Sequence, residues 1–523
     1  MSSMVKVKNP NGTTYIYENI TNWNKETKKY EHKRTCIGKI TPAGEEIRYD
    51  SKPISMPTPK LSKSYGNIYF LDQLADVIEL KYILSSIFTD DYETFITLVH
   101  YIICVDSSLS NAPKWLELNE TILKADLTSQ YISSFLKKIT AEQVLEFFKK
   151  WVSKRLEHEY IAFDITSISS YSELIDIVEL GYNRDQEKLP QINLGMFFGE
   201  ESMLPIFYNL YPGSIKDVKT LSNMLTYCEV LKIKKIKFVM DKGFYSDANI
   251  TQMIQAKKKF TISIPFKSAI ATSKVQALKD SIKLPSKCIA INELIYGEMI
   301  EDKWEYLDDN GELHKATVYY HIMYDDDKRN EIENRIMTKV QKQRKEFNDY
   351  IEKYHRLPKD VEQYEHYFEI KQNRGKITCT LKDEVILDEM KNEGFMVVIS
   401  NDLKNVTDVF NTYRRKDVVE KAFDNLKNDL DVKRLRVHSE RALRGKMFIA
   451  FIALIIKTHI FNTIIKNGSI CKYSVNEIIS EMQKIALVKF SDELSMLTEI
   501  SGTQRKLFKA FNIKEPQVEK GAH

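Results

Sequence analysis

The chain has 523 residues, 43% hydrophobic and 11% aromatic, with 77 Lys and Arg against 73 Asp and Glu for a net charge of +4. That length supplies several hydrophobic cores and two to four domains in a soluble globular protein, while the near balance of charge excludes a global electrostatic case for nucleic acid; any such case has to be local. The six cysteines (Cys36, Cys104, Cys228, Cys288, Cys379 and Cys471) form no CxxC pair and lie near no histidine cluster, which argues against a structural zinc and a disulfide framework and for a reducing cytoplasm.

Residues 1–60 alternate short β-type runs with Gly and Pro and carry Lys28, Lys29, Lys33 and Arg34, predicting a small, basic, β-rich arm. Residues 61–155 turn helical, in blocks Tyr69 to Ile87, Tyr92 to Cys104 and Ala141 to Val152, with a Ser/Thr cap near Thr128 and a capping box from Thr140 to Gln143. Such a helical module suits DNA binding or plain packing. From 156 to 264 strands take over: Tyr160 to Thr166, ending in Asp164 and hydroxyls, then Gln191 to Phe198 and Pro205 to Tyr211, a three-stranded meander. A helix (Asp217 to Leu231), a buried-type strand ending in Asp241, a helix capped by Ser246 and a strand from Phe260 to Ile264 follow, predicting an α/β fold with a mixed sheet.

Residues 265–393 break that pattern with short strands around a charged helical block, Arg329 to Tyr354, and are expected to be a β-rich and helical insertion. The α/β pattern resumes over 394–465 with a strand from Gly394 to Ser400 and a helix start at Thr407, and a helical region, 466–523, closes the chain. No apolar h-region opens the chain. The longest apolar run, Met447 to Ile456, is too short to span a bilayer and is expected to be a core helix, with no membrane association.

The stretch from Tyr413 to Lys427 is predicted to form one long helix. At roughly 100° per residue, Tyr413, Lys416, Glu420 and Lys427 share one narrow stripe, beside an apolar face of Val419, Ala422, Phe423, Leu426 and Leu430. Charged stripes of this kind also occur as plain solvated surface. Around it, from Tyr413 to Lys446, eleven Lys and Arg face six acids, a local net of +5 that exceeds the net of the whole chain.

Three acids stand out by position: Asp164 on the first core strand, Asp241 at the end of the fourth, and Glu420 on the helix after the last. Acids at strand ends and on an adjoining helix can converge at one sheet edge, where hard oxygen ligands hold two Mg²⁺ ions that stabilise the attacking and leaving oxygens of an in-line displacement at phosphorus.

Phe163 to Ser167, Gly181 to Asp185, Pro212 to Asp217, Val239 to Phe244, and Tyr413-x2-Lys416-x3-Glu420-x6-Lys427 occur in the order seen in DDE transposases of bacterial insertion sequences. The chain resembles the group with a Tyr-Arg-Glu-Lys signature helix and an RNase H-like core carrying a β-rich insertion. The resemblance covers nearly the whole chain, including Cys36 to Lys39 and Leu435 to Gly445. Two positions depart from it: Lys416 stands where the signature has Arg, which keeps the charge but loses the bidentate fork, and Lys446 stands where relatives often show His.

The resemblance implies Asp164, Asp241 and Glu420 as ligands of two Mg²⁺ ions, with Mn²⁺ able to substitute, and metal-dependent cleavage and strand transfer at terminal inverted repeats. It also implies DNA contacts by Tyr413, Arg415, Lys416, Lys427, Lys433 and Arg436, and a base-receiving role for Trp304, the only tryptophan in the insertion, whose other reading is ordinary core. A dimer acting on the DNA of transposon ends and target, in the bacterial cytoplasm at the nucleoid, follows as an expectation. A repeat-DNA-binding protein without catalysis and an RNase H-like nuclease without strand transfer are the alternatives.

Overall fold

The computed structural model of the chain describes every residue other than 1, 11, 25–28, 50–57, 106, 156–159, 171, 173, 182–188, 200, 216–219, 234, 309, 374–375, 416–420, 423, 431–434, 491–493 and 518–523. Two compact units divide it: Met1–Ser62 with Val488–Met496 and Gly521–His523, and Lys63–Leu487 with Leu497–Lys520.

In the first unit β1 (Ser2–Lys8), β2 (Thr14–Asn24), β3 (Lys29–Ile40) and β4 (Glu46–Arg48) form a four-stranded sheet in chain order, antiparallel throughout. Ile16 is its one buried large apolar residue among those described, and the Arg34 guanidinium lies 4.4 Å from the Tyr17 ring. A short strand, β5 (Leu61–Ser64), falls where the chain passes into the second unit.

The second unit begins with α1 (Gly66–Val77), α2 (Leu80–Ile87), α3 (Tyr92–Cys104), α4 (Ala112–Leu118), α5 (Ser129–Lys138) and α6 (Ala141–Arg155). The expected block from Tyr69 to Ile87 is two helices, because Glu79 adopts a left-handed φ of 61° and stops the first. Polar side chains set the later starts. Thr128 accepts a hydrogen bond from the Tyr131 amide, and Thr140 and Gln143 exchange side-chain and backbone hydrogen bonds at 2.9 and 3.2 Å, the anticipated capping box.

The sheet that follows is built from β6 (Tyr160–Ser169), β7 (Gln191–Gly199), β8 (Pro205–Pro212), α7 (Leu221–Val230), β9 (Ile236–Met240), α8 (Asp247–Gln255) and β10 (Lys259–Ser263). β6, β7 and β8 form the expected antiparallel meander, and β9 pairs parallel with both β6 and β10. The spatial order β8-β7-β6-β9-β10 is that of the RNase H-like core. β9, Ile-Lys-Phe-Val-Met, is buried throughout, the near-continuous apolar run of a strand covered on both faces.

The segment after β10 differs from the separate insertion expected over 265–393. α9 (Ala269–Leu278), β11 (Cys288–Ala290), β12 (Ile295–Leu307) and β13 (Leu313–Asp325) precede the long α10 (Asp326–Tyr354), and β14 (Phe368–Asn373), β15 (Lys376–Leu381), α11 (Asp383–Met390) and β16 (Phe395–Ser400) follow it. β11, β12 and β13 continue the main sheet through β16, which pairs antiparallel with both β13 and β10, so nine strands form one sheet. Only the part from α10 to α11 stands on a core of its own, around Val340, Phe347, Tyr364, Tyr367, Phe368 and Ile386.

Beyond β16 come α12 (Val406–Arg414), a π turn (Asn425–Asp429), α13 (Glu440–Lys466), α14 (Val475–Gln483), the short strands β17 (Ala486–Lys489) and β18 (Ser495–Leu497), and α15 (Gly502–Ala510). α13 extends the apolar run on both sides and corrects the length inferred from it: by length and composition the helix could cross a membrane, yet 78% of its most apolar window is packed inside the protein. Phe448 sits against Phe88, Phe95, Phe147 and Phe148, joining the helical region to the sheet.

Candidate active site

Asp164 lies in mid-strand, not at the strand end that the sequence suggests, since β6 runs on to Ser169. Its backbone is at a bulge. Ala162 opposes Phe197 and Ile165 opposes Gly195, which leaves Phe163 and Asp164 together across from Met196 alone. Bulges of this kind locally re-aim a strand and are over-represented beside active sites. On the other edge of β6, Ala162 pairs in parallel with Phe238, so the two strands run side by side two residues before Asp164 and three before Asp241. The two strands are about 4.8 Å apart.

Asp241 follows directly, half-buried, with extended backbone (φ −80°, ψ 168°), and its carbonyl accepts the Phe244 amide at 3.0 Å to start a single helical turn, Lys242–Phe244. The chain then runs to Ser246, whose hydroxyl accepts the Asn249 amide and caps α8 as expected. Two further motif segments meet at this end of the sheet. A Cβ on Gly181 would fall 1.9 Å from the Gly213 carbonyl oxygen, and one on Gly213 would fall 2.1 Å from that of Gln191, so only glycine permits these backbones to touch. Asn193, buried, binds the Gly213 and Ile215 carbonyls at 3.3 and 3.2 Å and accepts the Ser167 hydroxyl at 3.2 Å, fastening that loop to β6.

The third element follows β16: α12 (Val406–Arg414) is capped by Asn405 through the Thr407 amide, two residues before the expected start, Lys421, Ala422 and Asp424 are helical, and a π turn spans Asn425–Asp429. Glu420 and Lys416 lie outside the described residues, as does Lys433. Ala422, Leu426 and Leu430 are buried as the periodicity requires. Lys427 is buried too, at 8% exposure, which corrects its place on an open phosphate-binding stripe. Angles counted at 100° per residue do not carry through i→i+5 winding, and the π turn packs on α13.

Tyr413 holds a position that sequence spacing does not disclose: its hydroxyl donates to the Met240 carbonyl oxygen at 2.8 Å, across 173 residues of chain. This bond ties the helix leading toward Glu420 to the residue immediately before Asp241. Its ring packs with Val409, Met323 and Val398 beneath α12. Arg415 and Arg436 are exposed, Arg436 with a left-handed φ of 48°. Lys446, where the resemblance leads one to expect His, is buried and donates to the Leu435 carbonyl at 3.1 Å. It anchors the segment entering α13.

Trp304 is 7% exposed on β12, part of the main core, and its indole N–H donates to the Thr251 hydroxyl at 3.1 Å. Asp308, Glu312 and His314 bring ligand-type atoms within 4.8 Å of one another at the tip of the β12–β13 hairpin. There the Asp308 carboxylate accepts the Asn310 and Glu312 amides, both at 2.9 Å, and shapes the turn; the backbone bond from Glu312 holds its carboxyl below the usual aspartate range.

Asp241, directly after a strand end, supplies a carboxylate, the donor that hard divalent cations prefer over nitrogen or sulfur. A cryo-EM structure of a piggyBac transposase synaptic complex with hairpin DNA aligns over 80% of this chain and 70% of its own, at 10% identity and a TM-score of 0.30. No curated protein matches the sequence. The family described as Transposase DDE domain matches residues 155–456, from the end of α6 into α13. More than half the chain is thereby covered, and the protein belongs to the Transposase DDE domain family, an enzyme of DNA transposition that works with divalent metal.

Proposed function

We propose that the protein cleaves DNA at the terminal inverted repeats of an insertion sequence and joins the freed ends to target DNA, with Mg²⁺ as the metal. Asp164, Asp241 and Glu420 are the ligands in this reading. When bound, the metal pair supplies an activated water and neutralises charge on the phosphodiester. The carboxylates hold the metal sites, the Tyr413 bond to Met240 keeps the helix approaching Glu420 in register with Asp241, and Arg415, Lys416, Lys433 and Arg436 contact phosphates and fix the DNA without reading its sequence. What supports the reading is the parallel pairing of β6 with β9 at Ala162 and Phe238, just before the bulge at Asp164 and the strand end at Asp241. Two copies, each working on one transposon end at the bacterial nucleoid, complete the proposal.

The test uses the DNA flanking the protein's own reading frame. Incubated with Mg²⁺, that duplex is cut at its repeats and joined to a plasmid, and Glu420→Gln or Asp241→Asn abolishes both products. Full activity in Glu420→Gln would overturn the assignment. Binding of the repeats without nicking points to a DNA-binding protein, and cutting without joined product points to a nuclease.

A further inference from the structure

A cavity of about 590 Å³ lies on the opposite flank of the sheet from the β12–β13 hairpin, along β8, the outermost strand. Three strand spacings, or ~14 Å, separate β8 from the strand that leads to Asp241, so this is not the catalytic edge. Its floor is aromatic: Phe148 of α6 meets Phe207 and Tyr208 of β8 at ring distances of 4.7 and 5.5 Å, and Phe207 meets Tyr227 of α7 at 5.0 Å. Its lining carries three cations and one acid, Glu142. Lys137, Arg441 and Arg444 border it and also border a second cavity of about 580 Å³ alongside.

Arg444 is paired with Glu440 (2.5 Å). Lys137 and Arg441 are exposed and have no ion-pair or hydrogen-bond partner among the described residues. An apolar recess of this size admits a planar ring, and two open cations at its mouth call for an anion attached to that ring. Arg441 and Arg444 lie in the segment Leu435 to Gly445, whose resemblance to transposases no catalytic role accounts for.

We infer that this cavity takes one unpaired nucleotide of a DNA strand, its base against the aromatic floor and its phosphates on Lys137 and Arg441. The inference rests on the DNA reading above and adds a contact outside the metal site. Aromatic contact and backbone charge together define single-strand recognition, which tolerates any base because every base has an apolar face.

A single strand of roughly ten thymidylates, fluorescein-labelled, tests it by anisotropy against a duplex of equal length, with 5-iodouracil in place of one thymine for photocross-linking. The expected cross-links fall on Phe207, Tyr208 or Tyr227. Lys137→Ala with Arg441→Ala, both exposed changes that spare the core, and separately Val144→Trp, which fills the recess, each weaken strand binding by roughly tenfold while duplex binding falls less. Cross-links confined to other residues, unchanged strand affinity in the double variant, or equal competition by a polyglutamate of the same charge would each overturn the inference. Normal repeat cleavage alongside unchanged strand binding removes the cavity's role alone. Cross-linking at the floor by a protein that never cuts removes the proposed catalysis and leaves the cavity standing.

Discussion

Two helices of nearly equal length are stabilised in opposite ways. α10 has 29 residues, of which Val340 and Phe347 are buried; α13 has 27, of which nineteen are. α10 follows local rules. Asp325 caps it, and Asp326 and Asp327 open it and Lys353 closes it in the sense the helix dipole favours, while Arg329–Glu333 and Lys342–Glu346 pair along its surface at i,i+4 spacing. α13 is rich in Ile and Phe and owes its place to the surfaces around it, in keeping with the general dominance of tertiary packing over propensity. One helix is specified by its own sequence, the other by its neighbours, and the neighbours of α13 include the π turn and the strand β8.

The largest effect that separates the two comes from equal truncations. Phe448→Ala costs about 3–5 kcal/mol of global stability, lowering the main denaturation midpoint, whereas Phe347→Ala, of the same chemistry in the separate small core, speeds hydrogen exchange in α10 to α11 and leaves the main transition in place. If both variants shift the main transition equally, the two cores are one.

Acid gives the next contrast. Burial first, then Arg155 and Lys466, lower His459 of α13 to about 4, against an unfolded value near 6.5. The unfolded chain therefore binds the proton more readily, and the contribution of this group is full above about 6.5 and lost as pH falls toward 4, up to about 3 kcal/mol. The fall in urea midpoint from neutral to acid pH should be smaller in His459→Gln, the remainder coming from His100 and His321, which burial likewise lowers to about 4. α10 holds no histidine and should resist this change.

Lys457, 1% exposed inside α13 and bound to the Asn476 side-chain oxygen at 3.3 Å, is the most deeply buried of the polar residues in this apolar helix. Lys457→Met should raise stability by about 1 kcal/mol, read as a higher melting midpoint, as the cost of burying an ammonium disappears while volume is kept. The smallest effect belongs to the surface: Arg329→Ala should lower stability by about 0.2–0.5 kcal/mol, reduced further by salt.

The same division explains what was legible in the sequence. Caps at Thr128, Thr140 and Ser246 and the meander strands depend on neighbours a few residues away, and the residue pattern places them closely. Features made by distant contacts escape such a reading. Tyr413 reaches Met240 across 173 residues, the Asp164 bulge exists only in its pairing with β7, and the β12–β13 hairpin becomes part of the main sheet only because β16 returns beside β10. At Lys427 the period itself changes, since a π turn winds differently from the helix assumed, and the residue moves from a stripe into the interior. Asp241 was accessible from sequence because a buried apolar strand ending in an acid is a local signal.

The antiparallel pairing of β13 with β16 has one more consequence. Tyr324 faces Phe395, and the Asp325 amide donates to the Gly394 carbonyl at 2.9 Å, so everything from 326 to 393 leaves and re-enters the main sheet at a single pinned doorway. The entropy of closing such a loop grows only with the logarithm of its length, about 0.6 kcal/mol for each doubling. Residues can therefore be gained or shed within that excursion, around the separate core of α10, at little thermodynamic penalty to the strands that position Asp164 and Asp241.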